Sequence, residues 1–127
     1  MKIGTKDKQP YNFGMSDASV FAFAGLWERW KAPDGEIIQS CTILTTKPNS
    51  LVETVHDRMP VILDRHSYDL WLDPGVTDPA RVSDCLKPFD ATLMRKYPVS
   101  ARVNHPNNDD PECAKEALMV STAQTLF

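Results

Sequence analysis

The turn sequence Pro33-Asp34-Gly35 stands between two strand-like runs and constrains the fold more than any other feature of the chain. From Val20 to Trp30 the residues alternate, and both faces are apolar over most of the length, which predicts a strand covered on both sides. The run from Glu36 to Thr46 is rich in Ile and Thr, which favour strands. Because Pro-Asp-Gly is a strong turn signal, the two runs predict an antiparallel β-hairpin with Cys41 in the core.

Shorter elements lie on both sides of the hairpin. A strand is predicted at 10–14 and another, wholly apolar, at 59–63. Aspartates suited to capping open two predicted helices, at 64–72 and 78–87, and the chain at 93–103 is predicted to be extended. These patterns predict an α+β fold, a β-rich twisted antiparallel or barrel-like sheet with short helices at its periphery.

Charge limits the ways in which the chain could bind nucleic acid. The 127 residues form enough chain for one small domain, and they carry 14 basic and 17 acidic side chains, a net charge of -3. Proteins that hold duplex DNA through its phosphates usually have a basic excess. Any contact with nucleic acid is therefore expected to use a few well-placed Arg or Lys residues.

Other classes of protein are disfavoured by what the sequence does not contain. No apolar run approaches the roughly 20 residues that cross a bilayer, and no signal-peptide pattern opens the chain, so a cytoplasmic protein is expected. The cysteines are three in number and widely spaced, and the histidines lack metal-ligand spacing. Neither a metal site nor a cofactor is predicted.

The segment 55–63 combines groups suited to acid-base chemistry beside a nucleic acid. Ser50 is a candidate N-cap for a helical turn that leads to His56, an imidazole that can carry protons near neutral pH. Arg58 follows two residues later, and a guanidinium can hold a phosphate with two hydrogen bonds. A single histidine is more often a structural residue than a catalytic one, so the spacing alone leaves both interpretations open.

The sequence His56-Asp57-Arg58-Met59-Pro60-Val61-Ile62-Leu63 resembles the signature of the SOS response-associated peptidase (SRAP) family. Four further stretches resemble family elements in the family's order: 8–11, 23–30, 42–49 and 98–104. The resemblance extends from Lys8 to Asp110. It implies a partial SRAP domain over residues 1–112, the C-terminal portion of the family fold, followed by a C-terminal tail at 113–127.

The resemblance also implies a reaction with abasic sites in single-stranded DNA. In the family, an N-terminal cysteine closes a thiazolidine on the abasic aldehyde, while an asparagine, a glutamate and a histidine assist. His56 matches that catalytic histidine, Arg58 matches an arginine that contacts DNA phosphate, and Thr45 matches a threonine of the same DNA-binding pocket.

The match does not include every group that the reaction needs. The chain begins Met1-Lys2, and the cysteine and asparagine elements have no counterpart in it. Whether such a chain is an enzyme is left open, and a polypeptide of these residues is expected not to form the stable crosslink alone. The alternatives are a non-catalytic remnant that binds single-stranded DNA and a degraded fragment with no activity.

The last residues suggest a possible protein partner. Gln124, Leu126 and Phe127 resemble short peptides that dock on sliding clamps, with the Leu-Phe pair filling a hydrophobic pocket. An ordinary terminus without a partner is the alternative interpretation.

Overall fold

The computed structural model describes residues 8–119, which fall into two compact units. The first unit contains the described residues up to Ser19 and from Ala91 onward, and the second spans Val20–Asp90. Eight strands and one short α-helix are present in this part of the chain: β1 Tyr11–Met15, β2 Ala22–Phe23, β3 Gly25–Lys31, β4 Ile37–Ile43, β5 Thr45–Thr46, β6 Met59–Pro60, β7 Ile62–Leu63, α1 Tyr68–Leu72 and β8 Met94–Pro98.

The first unit is organised around the antiparallel pair of β1 and β8, in which Tyr11 lies opposite Pro98 and Met15 opposite Met94. Met15 and Met94 are buried, as is the nearby Val99. The buried Gln9 side chain donates from Nε2 to the carbonyl of Val99 at 3.0 Å. This contact joins the chain two residues before β1 to the residue after β8, so it closes the end of the pair where β1 begins and β8 ends.

The prediction of extended chain over 93–103 is confirmed as a strand only for Met94–Pro98, since Leu93 ends a 3₁₀ turn that begins at Ala91. Beyond Pro98, the Ser100 hydroxyl accepts from the Arg102 amide at 3.2 Å and opens a 3₁₀ turn at Ala101–Asn104. A serine that offers its hydroxyl to the backbone favours such a turn over a strand. A second 3₁₀ turn follows at Pro111–Ala114. The predicted boundary at residue 112 stays a prediction.

Three chain segments of the second unit meet at a ring of backbone hydrogen bonds. Ala24 donates to the carbonyl of Val61 at 2.8 Å, Val61 donates to Leu44 at 2.8 Å, and Leu44 donates to Ala24 at 3.0 Å. Each segment changes partner there, because β2 pairs with β7, β3 with β4, and β5 with β6. Side chains around this junction form the core of the unit: Ala24, Val61 and Leu63, with Leu44, Tyr68, Trp71 and Cys85 packed against them.

The predicted hairpin is confirmed as the pair of β3 and β4, from Gly25 opposite Ile43 to Lys31 opposite Ile37. Gly35 in the turn has φ +88°, a left-handed conformation that favours glycine. We call β3, the turn and β4 the ribbon. The prediction that its first strand is covered on both faces is wrong, since Leu26, Trp27 and Trp30 are all more than half exposed. Cys41 is also exposed, not in the core.

Short helical segments follow the junction at both predicted places, but the prediction that Asp64 caps the first is wrong, since its side chain makes no capping hydrogen bond. A 3₁₀ turn at Arg65–Ser67 continues into α1, and Trp71 of that helix donates from its ring nitrogen to the carbonyl of Gly25 at 3.1 Å. Asp78 accepts from the Ala80 amide at 3.0 Å, with Pro79 in the first turn, but the structure that it opens is 3₁₀ and not α-helical.

The predicted α+β class, rich in antiparallel strands with short helices, is confirmed. The strands at 8–119 form four two-stranded antiparallel sheets that do not close on one another. Within the same residues, no helix is long and apolar enough to span a bilayer.

Candidate functional site

One buried asparagine shapes the turn that carries the site. Asn49 is 9% exposed, and its Oδ1 accepts from the amides of Leu51 and Val52, at 3.1 and 2.9 Å. Its Nδ2 donates to the carbonyl of Phe89 at 2.8 Å. Asn49, and not the predicted Ser50, therefore satisfies the amides at the start of the 3₁₀ turn Val52–Thr54.

The same turn delivers His56. The Val52 carbonyl accepts from the amides of Val55 and His56, at 2.8 and 2.9 Å, which ends the turn directly at the histidine. Val52 itself is buried, whereas the side chain of His56 is 67% exposed. The imidazole is therefore exposed to solvent, while the buried Val52 and its two backbone hydrogen bonds hold the chain that carries it.

All described contacts of the imidazole are made by Nδ1. That nitrogen lies 3.0 Å from the Arg58 amide nitrogen, 3.0 Å from the Arg58 carbonyl oxygen and 3.2 Å from Asp57 Oδ1. Since one nitrogen cannot accept and donate at once, these contacts belong to different protonation states. An unprotonated Nδ1 accepts from the Arg58 amide, while a protonated Nδ1 donates to the Asp57 carboxylate or the Arg58 carbonyl. In each state Nε2 makes none of the described contacts.

Arg58 and Thr45 are joined through a single guanidinium nitrogen. Nη2 of Arg58 donates to the Thr45 carbonyl at 2.9 Å and to Thr45 Oγ1 at 3.0 Å. Both residues are exposed, and no carboxylate at 8–119 forms an ion pair with Arg58. Because a guanidinium has five N–H donors, those on the other nitrogens remain for an anion.

The strand pairing explains why these two residues meet. Thr45 immediately follows Leu44, and Arg58 comes three residues before Val61, so both lie next to the junction. The pair of β5 and β6 sets Thr45 opposite Pro60 and Thr46 opposite Met59. Backbone pairing brings the two chain segments together, and the arginine then reaches across to the neighbouring strand.

The structure brings His56, Arg58 and Thr45 together in the second unit. Their roles in a reaction stay predictions, but the site is open to solvent and carries a cation beside an imidazole. Sequence reasoning missed two residues that organise it, Asp57 and Asn49. Asp57 lies inside the His-Asp-Arg signature, and its place beside the histidine is the signal that could have identified it. Gln124, Leu126 and Phe127 lie outside the described residues.

The amino-acid sequence of the chain matches a family profile and is similar to proteins of known name. The profile of the family described as SOS response associated peptidase (SRAP) matches residues 2–106, which include the whole site. The abasic site processing protein YoqW of Bacillus subtilis (strain 168) is 46% identical over 111 residues. The abasic site processing protein HMCES of Mus musculus is 30% identical, with 90% of this chain and 39% of that protein covered.

The fold has a counterpart among solved structures. A crystal structure of a protein from Bacteroides thetaiotaomicron is 32% identical and superposes with a TM-score of 0.76, covering 89% of this chain and 50% of that one. The match to YoqW likewise covers 87% of this chain and 50% of the relative. The chain therefore spans about half the length of the Bacillus relative.

Proposed function

The chain belongs to the SOS response-associated peptidase family, and from that premise we propose that it acts on abasic sites in single-stranded DNA. His56 would transfer a proton at the abasic sugar, and Arg58 would hold a neighbouring phosphate. The observation that carries the proposal is an exposed imidazole and an exposed guanidinium on one short segment, held by Asn49 and Thr45. Within residues 8–119 the guanidinium has no acidic partner.

The contacts of His56 suit a proton donor. In the protonated ring, Nδ1 has the Asp57 carboxylate at 3.2 Å and the Arg58 carbonyl at 3.0 Å, and the side chain that carries Nε2–H is 67% exposed. When Nε2 gives up its proton, the remaining proton on Nδ1 keeps the same acceptors, so the ring need not rotate. Proton exchange with solvent then returns the ring to its resting neutral form, in which the proton is on Nε2 and Nδ1 accepts from the Arg58 amide. Asp57 would act as a positioning residue, because it contacts the ring and not the substrate.

Arg58 suits contact with a phosphate of a single strand. Its tie to Thr45 fixes the direction of the side chain, which reduces the entropy lost when an anion binds. The absence of an ion pair to the guanidinium at 8–119 means that no internal carboxylate must be displaced first. Because the whole chain carries a net charge of -3, binding would depend on individual basic side chains, of which Arg58 is one.

A second candidate is binding to single-stranded DNA without a stable crosslink. It is favoured by the location of the thiols, since none of the described contacts of His56 or Arg58 involves a cysteine. Cys85 packs against the core of the second unit, and Cys41 lies on the ribbon. A polypeptide of these 127 residues would then recognise the lesion without closing a thiazolidine on it.

Two measurements with one oligonucleotide test the proposal. The 127-residue polypeptide is titrated with a single-stranded oligonucleotide containing an abasic site, and binding is followed by fluorescence anisotropy at low salt. We expect binding that Arg58→Ala weakens, and no heat-stable band on a denaturing gel. Failure of the wild-type chain to bind single-stranded DNA would contradict both candidates, whereas a heat-stable band would exclude the second and establish covalent chemistry.

A further inference from the structure

The ribbon exposes large apolar side chains over its whole length. Six of them are 40–69% exposed: Leu26, Trp27, Trp30, Ile37, Ile38 and Ile43. Monomeric proteins rarely leave such contiguous apolar surface in water, and surfaces of this kind usually mark contacts with another polypeptide. The pair of β3 and β4 is also two-stranded, and an isolated two-stranded hairpin is marginally stable in water.

Both faces of the ribbon are apolar. Cross-strand partners lie on the same face, so Trp27 shares one face with Cys41, while Leu26 and Trp30 lie on the other, where Trp30 is opposite Ile38. Trp27 is 69% exposed and Trp30 is 55% exposed, which shows that neither face is covered within residues 8–119. A partner must therefore cover the ribbon from two sides or extend its sheet and wrap around it.

We propose that the ribbon is the docking surface for the remaining half of a SRAP domain, the part that the relatives have and that this chain does not match. The match to the Bacillus subtilis relative covers 87% of this chain but 50% of the relative. The Bacteroides structure has the same fold, with a TM-score of 0.76. The matched region is 50% of the Bacteroides chain. In both, the segment equivalent to this chain is joined to a comparable length of additional polypeptide.

A second copy of this chain fits the ribbon less well. In a two-fold dimer the same patch meets itself, so stacking would cover one face of each ribbon and leave the other in water. A half-domain with apolar surface of its own can cover both faces, and its strands can pair with the open edges of β3 and β4. The inference rests on family membership and not on DNA chemistry, so it can fail while the proposed function stands.

The probe is a polypeptide containing only the residues of the Bacillus subtilis relative that this chain does not match. It is mixed with the 127-residue chain, and the complex is followed by sedimentation and tryptophan emission. We expect a one-to-one complex and a blue shift of the emission, because Trp27 and Trp30 would leave water. Leu26→Gln and Trp27→Gln, one on each face, should each weaken the complex at least tenfold. Leu72→Gln changes a side chain that is 75% exposed on α1 and serves as the matched control.

A covalently joined version keeps the test decisive when the probe does not fold alone. The same half is linked to this chain in one polypeptide, and amide exchange of the ribbon is compared with that of the 127-residue chain. Strong protection that Trp27→Gln abolishes supports the proposal. Ribbon amides that exchange equally fast in both proteins would overturn it, as would a homodimer of the 127-residue chain that the ribbon substitutions disrupt and the probe does not displace.

Discussion

Arg58 reaches across to Thr45 with one guanidinium nitrogen, Nη2, which donates to both the carbonyl and the hydroxyl of that residue. The contact satisfies two acceptors with one end of the side chain and leaves its other donors unengaged within residues 8–119. An arginine held in this way is oriented before any ligand arrives, and the first prediction follows from it.

Arg58→Ala should reduce the affinity for single-stranded DNA about tenfold at low salt and lower the slope of log affinity against log salt by about 0.7. Arg58→Lys should retain the salt slope, because it keeps the positive charge. It should still bind DNA more weakly than the wild type, because lysine lacks the planar guanidinium with its fixed donors. Arg81→Ala removes an exposed arginine from the same unit and is the control. An unchanged salt slope in Arg58→Ala would show that this residue does not contact phosphate.

The neutral imidazole of His56 should carry its proton on Nε2, because the Arg58 amide donates to Nδ1 at 3.0 Å. Nitrogen-15 chemical shifts of the ring distinguish the two tautomers, with His56→Gln used to assign the signals. Asp57→Asn should leave the preference of the neutral ring unchanged, because the Asp57 contact needs a proton on Nδ1. A neutral ring protonated mainly on Nδ1 would contradict this account.

Asn49→Ala should lower the free energy of unfolding by roughly 2–4 kcal/mol, measured by urea denaturation. The change removes the acceptor of two amides and the donor to the carbonyl of Phe89. Asn49→Asp keeps the acceptor and loses the donor, so we expect an intermediate effect. Asn107→Ala, at an exposed position, should change stability by less than about 0.5 kcal/mol. Equal losses in the two alanine variants would show that the turn does not depend on Asn49.

Ala24→Leu should destabilise the protein by about 1–3 kcal/mol, because Ala24 has 0% exposure at the junction and the added atoms must displace packed neighbours. The change is read as a lower Tm in thermal unfolding. Ala80→Leu adds the same atoms at an exposed position and should leave Tm nearly unchanged. Tolerance of leucine at position 24 would indicate that the core around it is loosely packed.

Sequence patterns identified the elements whose causes are local. The turn at Gly35, the Asp78-Pro79 start and the apolar run that became β6 and β7 each depend on a few adjacent residues, and all are present. The exposure of Trp27 and Cys41 was not predictable, because alternation shows only that a face is apolar and not whether anything covers it.

The site shows the same division between local and long-range causes. His56 and Arg58 were identified from their own segment and from the family signature. The role of Asn49 depends on a hydrogen bond to Phe89, 40 residues away, and spacing in the sequence carries no sign of it. Thr45 was placed by resemblance, and its contact with Arg58 follows from strand pairing that a single sequence does not reveal.

The hydrogen-bonded ring at Ala24, Leu44 and Val61 sets an order of assembly. The ribbon can pair outward from its turn, where Lys31 and Ile37 are six residues apart, whereas Val61 must reach Leu44 across 17 residues and Ala24 across 37. Closing these longer loops costs more entropy. We therefore expect the ribbon to form early and the segment around Val61 to dock late. During synthesis, the imidazole and the guanidinium would acquire their final positions only in that closing step, so an unfinished chain would not yet present them together.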